Sequence, residues 1–132
     1  MPIPYMLDTD ICSYIIRNKR ELADVFIQRQ HEDICISVIT YAELLYGVKK
    51  SGSRRVEEEV KRFLSLVRVQ DWGEKAARRY AGIKDFLKIN GLPIGNMDMM
   101  IAASAIAINA SLVTNNKKHF HLVPNLTIAD WV

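Results

Sequence analysis

Short apolar runs alternate along the chain with segments whose apolar residues recur at helical spacing. The run at residues 3–7 predicts a first strand, and the pattern over 11–26 then predicts a helix, with Thr9-Asp10 as its turn or cap. A second apolar run, 34–38, follows a polar break and predicts the next strand. The chain therefore begins with the strand, helix, strand order that is typical of a parallel sheet.

Two amphipathic helices and a weak strand are predicted for the middle of the chain. Thr40 is expected to cap a helix that the glycine-containing region 47–52 ends. Ser53 is expected to cap the next helix, whose apolar residues form one stripe. The run 66–69 is a weak strand candidate.

A long helix is predicted from residue 73 to residue 90, with Gly91 as the left-handed residue that ends it. The loop 93–96 then leads into a helix of small residues from Asp98 to about residue 109. The remaining elements are a strand at 112–114, a polar loop or short helix at 115–119, and a strand at 126–128. Strands that alternate with helices indicate an α/β fold, in which helices cover both faces of a central, mostly parallel sheet.

The composition is that of one compact domain over residues 1–132. The 132 residues, 49% of them hydrophobic, are enough for one core and leave no room for a second domain. The net charge of +3 and the pI near 8.9 permit a polyanionic partner without requiring one.

Neither cysteine chemistry nor a membrane is expected to contribute. Cys12 and Cys35 each lie within an apolar stretch, where a free cysteine behaves as a small buried hydrophobe. Because the chain shows no secretory leader, we expect a reducing cytoplasm and no disulfide. The apolar stretch 97–113 is interrupted by Asp98 and Asn109 and is too short to span a membrane.

Four oxygen-bearing side chains, Asp8, Glu43, Asp98 and Asn116, each lie just past an apolar run. Because ligands of open α/β sheets bind outside the carboxyl ends of the strands, we expect these positions to converge. Carboxylate and amide oxygens without nearby His or Cys favour Mg²⁺ or Mn²⁺. Three converging acids repel one another, and a cation with bound water between them suits the hydrolysis of a phosphodiester.

Each of these four positions also has a purely structural interpretation. Asp8 is a good N-cap for the helix that follows it, and Glu43 would complete a capping box with Thr40. Asp98 suits the first turn of any helix, and Asn116 fits a plain turn. The two roles of Glu43 do not exclude each other, since Thr40 can cap the helix alone.

Basic clusters supply a second indication. They are Lys49-Lys50, Arg54-Arg55, Lys61-Arg62 and Lys117-Lys118-His119. Such clusters hold a nucleic-acid backbone by attraction that is independent of sequence and sensitive to salt. Each of them is equally compatible with a solvated helix face.

Five segments carry a family pattern from one end of the chain to the other. They are Met-Leu-Asp-Thr-Asp-Ile at 6–11, Ile-Thr-Tyr-Ala-Glu-Leu at 39–44 with Tyr46-Gly47, Pro-Ile-Gly-Asn-Met-Asp at 93–98 with Ile-Ala-Ala at 101–103, Leu-Val-Thr-Asn-Asn at 112–116 with His119-Phe120, and Asp130-Trp131. Together, and in this order, they resemble the PIN-domain ribonucleases of the VapC toxin type.

The resemblance implies a PIN-like α/β/α sandwich that cleaves RNA with Mg²⁺ or Mn²⁺. The acids of the family correspond to Asp8, Glu43 and Asp98. The fourth family position, often Asp, is Asn116 here, which implies that it holds a water rather than the metal. Asp10 stands where relatives often have Asn or Ser, so it would add a carboxylate behind the ligands.

The resemblance also implies partners. The toxin would be restrained by a VapB-like antitoxin, a segment of which enters the active-site groove, and the chain would form a homodimer. The expected substrate is a structured RNA such as initiator tRNA.

Two other interpretations fit parts of the sequence. Asp8 and Asp10 match the opening of haloacid-dehalogenase-type phosphatases, in which the first Asp is the nucleophile and the second the acid/base. The chain lacks the Gly-Asp-x-x-x-Asp segment and the cap domain of that class. The other interpretation is a non-catalytic domain that binds RNA or a partner and uses its acids only as helix caps.

Overall fold

A sheet of five parallel strands forms the centre of the computed structural model, which describes residues 3–18 and 20–131. The strands are β1 (Tyr5–Leu7), β2 (Ile34–Ser37), β3 (Arg68–Gln70), β4 (Ser111–Val113) and β5 (Thr127–Ala129). Their order across the sheet is β3-β2-β1-β4-β5, and all neighbouring pairs are parallel. The predicted α/β class and parallel sheet are confirmed.

Seven helices in the described residues connect the strands and cover both faces of the sheet. They are α1 (Thr9–Ile16), α2 (Arg20–Gln28), α3 (Val38–Ser51), α4 (Arg54–Leu64), α5 (Glu74–Ile89), α6 (Asn96–Ala107) and α7 (Lys117–Phe120). Successive strand residues face opposite sides, so Met6 packs with α5, α6 and α7, whereas Leu7 packs with α1 to α4. The result is the expected α/β/α sandwich.

The connections of the sheet diverge between β1 and β4. The chain continues from β1 to β2 on one side through α1 and α2, and from β4 to β5 on the other side through α7. Such a divergence leaves a crevice above the carboxyl ends of the two strands. The N–H of Asp8 donates to the carbonyl oxygen of Val113 at 3.1 Å. The residue that follows β1 therefore lies beside the end of β4.

The start of α3 differs from the prediction because the chain passes from strand to helix without a loop. β2 ends at Ser37, whose hydroxyl accepts a hydrogen bond from the N–H of Ile39 at 3.1 Å and so caps α3. Thr40 lies inside the helix and is fully buried. The expected cap at Thr40, and with it the capping box to Glu43, is wrong.

Two other predicted elements are corrected. The pattern over 11–26 forms two helices, because Asn18 adopts a left-handed φ of 58° that ends α1 and that Asn tolerates. β3 begins at Arg68 rather than at residue 66. The N–H of Leu66 still donates to the carbonyl oxygen of Phe63 at 2.9 Å, which holds residue 66 in the turn after α4.

Two predicted helix boundaries are confirmed. The Ser53 hydroxyl accepts a hydrogen bond from the N–H of Val56 at 3.3 Å and caps α4. Gly91 follows α5 with a φ of 64°, the left-handed conformation that glycine adopts without strain. At these two positions the capping residues alone were sufficient to predict where the helix begins or ends.

The apolar stretch 97–113 forms a core helix and a strand. α6 begins at Asn96, ahead of the predicted Asp98, because Gly95 supplies the extended residue before the first turn. Its small residues, such as Ala102 and Ala103, are fully buried against the sheet. Within residues 3–18 and 20–131, no helix is long and apolar enough to cross a membrane.

Both cysteines are free thiols in the core, on opposite faces of the sheet. Cys12 of α1 and Cys35 of β2 are completely buried and belong to different core clusters. Burial raises the pKa of both thiols, that of Cys35 to about 11. They behave as the small buried hydrophobes that their sequence context indicates.

Candidate active site

Asp8 occupies the crevice above the ends of β1 and β4 and is 4% exposed. Its Oδ1 accepts a hydrogen bond from the N–H of Ile11 at 2.8 Å, which caps α1. Its Oδ2 accepts a hydrogen bond from the hydroxyl of Thr114, just after β4. Asp8 is therefore both the helix cap, as its structural interpretation predicted and in place of Thr9-Asp10, and a buried carboxylate at the divergence of the sheet.

Three aspartates share the electrostatics of this crevice. Burial is the main cause that raises the pKa of Asp8 to about 6, and the negative charges of Asp10 and Asp98 add to it. The hydrogen bonds from Thr114 and Ile11 oppose this rise. Burial also raises the pKa of Asp98, and Asp10 adds to that rise as well. The fold thus places these carboxylates within reach of one another's charge.

The carboxylate of Glu43, on α3, is bound by α1. The Thr9 hydroxyl lies 2.6 Å from Oε1 of Glu43 and 3.1 Å from the hydroxyl of Thr40. Because a hydroxyl carries one proton, Thr9 donates to the carboxylate and takes the proton of Thr40 for the other contact. Thr9 directly follows Asp8, so Glu43 is linked to the crevice through the first residue of α1.

Asn116 lies on the other side of the crevice, before α7. Its Nδ2 is 3.1 Å from Nδ1 of His119, and its N–H donates to the Thr114 hydroxyl oxygen at 2.9 Å. Burial and Asp10 raise the pKa of Asp98, and the charge of His119 opposes that rise. His119, which the sequence presented as part of a basic cluster and of the family pattern, is therefore close enough for its charge to act on Asp98.

The donors fit a hard divalent cation in kind but do not enclose one. Asp8, Asp10 and Asp98 supply carboxylate oxygens, whose mutual repulsion a cation would relieve. Across the described residues, however, no three His, Cys, Asp or Glu side chains are grouped closely enough to hold a metal ion. The expected cradle of Asp8, Glu43 and Asp98 is not assembled in this structure, in which Glu43 is bonded to Thr9 instead.

Two threonines that the sequence analysis did not select hold the site together. Thr114 is 1% exposed and bonds to Asp8 and Asn116, while Thr9 bonds to Glu43. A hydroxyl residue directly after an apolar run was the available signal for Thr114. Its partner could not be identified without knowing that β1 and β4 are neighbours.

A groove of about 850 Å³ opens beside Glu43, between α1, α3 and α4. Its walls combine apolar side chains such as Val48 with the charges of Arg17, Arg55, Glu43 and Glu59. Arg55 is thus the member of the predicted basic clusters that lines this groove. The groove extends the candidate site along the surface of the α1 to α4 layer.

Comparisons with known proteins agree with this geometry. The PIN domain family model matches residues 5–126. Ribonuclease VapC2 of Rickettsia felis is 40% identical over 130 residues, which cover 96% of this chain and 97% of that protein. The tRNA(fMet)-specific endonuclease VapC of Salmonella typhimurium is 36% identical, with 98% of each chain covered. In the crystal structure of VapBC2 from Rickettsia felis bound to a DNA fragment from their promoter, a chain of 38% identity superposes with a TM-score of 0.90, covering 98% of this chain and 100% of that one.

The buried charge of Asp8 should make stability depend on pH. The carboxyl has a pKa of about 6 in the fold against 3.8 when unperturbed, so its ionisation costs the fold about 3 kcal/mol. The fold has its full stability while Asp8 is protonated, below pH 4, and it loses this contribution as the pH rises through 6. We expect Asp8→Asn, which keeps an N-cap side chain, to gain about 3 kcal/mol over the unsubstituted chain between pH 4 and pH 7. Urea unfolding of both proteins in EDTA at the two pH values measures this gain. An equal difference in the free energy of unfolding at both pH values would contradict the raised pKa of Asp8.

The Thr114 hydroxyl should stabilise the ionised form of Asp8. Thr114→Val removes the donor to Oδ2, and losing a hydrogen bond to a buried charged group costs about 2 kcal/mol. We expect this loss in the free energy of unfolding at pH 8 and a smaller one at pH 4, where Asp8 is protonated. Thr114→Ser keeps the hydroxyl and loses only a buried methyl, about 1 kcal/mol at either pH. A valine variant with no pH dependence would show that the hydroxyl does not act on the carboxylate.

Proposed function

This chain belongs to the PIN domain family, and on that premise we propose that it is a metal-dependent endoribonuclease of the VapC type. The observation that carries the proposal is the buried carboxylate of Asp8, fixed by Thr114 and exposed to the charges of Asp10 and Asp98. Because a buried charge among like charges is unfavourable, this arrangement is costly for the fold and suits a positively charged ligand.

Asp8 and Asp98 would hold Mg²⁺ or Mn²⁺, with Asp10 behind them. When bound, such an ion offsets the charge of a phosphodiester and lowers the pKa of a coordinated water. The chain's own contribution is to fix the ligands: the N–H of Ile11 and the hydroxyl of Thr114 hold both oxygens of Asp8. Asn116, a neutral amide beside the acids, would orient a water.

We propose a structured RNA, initiator tRNA in particular, as the substrate. The Salmonella typhimurium relative bears the name tRNA(fMet)-specific endonuclease, and it aligns with nearly the whole chain. Lys49, Lys50 and Lys118 are exposed and would attract the phosphates of such an RNA in a manner that salt weakens.

We also propose that a VapB-like antitoxin restrains the activity from the groove beside Glu43. The Rickettsia felis chain that superposes on this one belongs to a VapBC2 structure. The groove presents apolar Val48 and Val56 together with Arg17, and its Arg55 is paired with Glu59 at 3.6 Å. It therefore suits a segment of apolar side chains with an acid opposite Arg17. A segment bound there would lie against one acid of the site. The homodimer and the cytoplasmic location stay predictions.

The match to the PIN domain family removes the basis of the phosphatase interpretation. The chain also lacks the Gly-Asp-x-x-x-Asp segment of that class of phosphatases. Asp10, the second residue of that interpretation, is exposed on α1. The non-catalytic interpretation is decided by the cleavage assay.

We expect the purified protein to cleave initiator tRNA with Mg²⁺ or Mn²⁺ and to stop when EDTA is added. Asp8→Asn and Asp98→Asn should nearly abolish cleavage, because each removes a carboxylate that would hold the ion. Asn116→Ala should lower the rate by about tenfold, the usual effect of a residue that acts through its neighbours. Gel analysis of total RNA with mapped ends measures cleavage, and elongator tRNA of the same amino acid is the matched control.

Three results would contradict the proposal. Metal-independent binding of RNA without cleavage would support the non-catalytic interpretation. Full activity of Asp98→Asn would remove Asp98 from the mechanism, and hydrolysis of a phosphomonoester in place of RNA would restore the phosphatase interpretation.

If the antitoxin binds in this groove, a large side chain placed in the groove should prevent the antitoxin from neutralising the toxin. Expression of the chain alone should arrest bacterial growth, and co-expression of its cognate VapB-like antitoxin should relieve the arrest. Gly47 lines the groove, and a Cβ added there meets no atom within 4 Å apart from its chain neighbours and the backbone of its own helix. Gly47→Trp should therefore keep the arrest in the presence of the antitoxin. Gly82→Trp, at a similarly open position on α5, should remain neutralised, and neutralisation of both variants would place the antitoxin elsewhere.

A further inference from the structure

Two aromatic side chains form a half-buried pair at the surface between α5 and α6. The rings of Trp72 and Tyr80 meet edge to face, with their centroids 5.9 Å apart and an interplanar angle of 71°. The indole Nε1 of Trp72 donates a hydrogen bond to the carbonyl oxygen of Met100 at 2.9 Å. The Tyr80 hydroxyl donates to Oδ1 of Asn96 at 3.2 Å. Both rings are therefore held against α6.

These two anchor points flank Asp98 in the sequence of α6. Asn96 and Met100 each lie two residues from Asp98, a separation of about 3 Å along a helix axis. Two residues along a helix correspond to a rotation of about 200°, so the aromatic pair and Asp98 lie at the same level of α6 but on different faces. An RNA strand that crosses the start of α6 with a phosphate at Asp98 would place a nearby nucleotide at the pair.

The charge of the surroundings suits a polyanion. α5 carries five basic residues against two acidic ones, although the sequence analysis selected no basic cluster there. Lys84 is exposed, and its Nζ lies 3.3 Å from the Tyr80 hydroxyl and 5.6 Å from the ring centroid. No carboxylate bonds to Lys84 in the described part of the chain, so its charge is available to a phosphate.

We infer that Trp72, Tyr80 and Lys84 form a nucleobase subsite that holds one unpaired nucleotide of the RNA beside the scissile phosphate. The inference rests on the proposed ribonuclease function and adds a binding position to it. Stacking on aromatic rings requires a base that is free of its own stack, which a loop or single strand provides. The contact of the exposed Lys84 with the Tyr80 ring is weaker than the stacking of a base on that ring. A bound base therefore displaces Lys84, which then turns to the phosphate.

The test measures the coupling between the pair and one base. Asp98→Asn protein binds a fluorescent RNA hairpin with an unpaired loop, and the same hairpin is prepared with an abasic residue at each loop position in turn. We expect one abasic position to weaken binding by about tenfold, and Tyr80→Leu to weaken binding of the intact hairpin by a similar factor. The abasic change should have no further effect on Tyr80→Leu. The binding of the abasic hairpins is measured with protein whose subsite is unsubstituted, so that result stands even if Tyr80→Leu fails to fold.

Matched variants and a cleavage arm complete the design. Tyr80→Phe keeps the ring and should bind within about twofold of the parent, as should Phe86→Leu, an exposed aromatic on the same helix outside the pair. In the cleaving protein, Tyr80→Leu and Lys84→Met should raise KM and leave kcat unchanged. Sedimentation of each variant records its oligomeric state.

The outcomes separate the two proposals. If the unsubstituted chain cleaves no RNA, the proposed function fails and the subsite with it. If it cleaves RNA but no abasic position weakens binding, or the abasic and Tyr80→Leu effects add, the subsite alone is overturned. A Tyr80→Leu variant that changes only its oligomeric state would show that this surface binds a second copy of the chain instead.

Discussion

The hydrogen bond from the Thr114 hydroxyl to the buried carboxylate of Asp8 is the interaction on which the site depends. It joins the ends of β1 and β4, between which the connections of the sheet diverge. The second oxygen of Asp8 is fixed by the start of α1, so the sheet and the first helix together set the position of this carboxylate. Burial is the main cause of the raised pKa of Asp8, and the other acids add their repulsion to a group that cannot move away from them.

The order of strands and helices could be predicted because buried parallel strands are short apolar runs and the helices between them are amphipathic. The wrong boundaries lie where local preference is ambiguous. Ser37 and Thr40 are both good caps, and only the end of β2 decides between them. In the site, Asp8 could be selected because it follows an apolar run, and Asp98 because it stands at the start of a predicted helix. The roles of Thr114 and Thr9 depend on contacts between distant elements, which no local pattern contains.

The two helical layers would bring different molecules to the acids. The groove proposed for an antitoxin lies in the layer of α1, α3 and α4, whereas the aromatic pair lies between α5 and α6. Asp8 stands between these surfaces at the end of β1, with Asp10 on α1 and Asp98 on α6. In this arrangement an inhibitor need not cover the surface proposed to bind RNA, because contact with the acids alone would be sufficient to stop cleavage.

The position of the two thiols has a practical consequence for spectroscopy. Cys12 and Cys35 are both completely buried, and burial raises their pKa, so neither offers a thiolate to an alkylating reagent while the fold is intact. A cysteine introduced on an exposed helix would then be the fast-reacting one. A single dye or spin label could be attached to the native chain without first replacing the core residues, whose substitution would leave cavities.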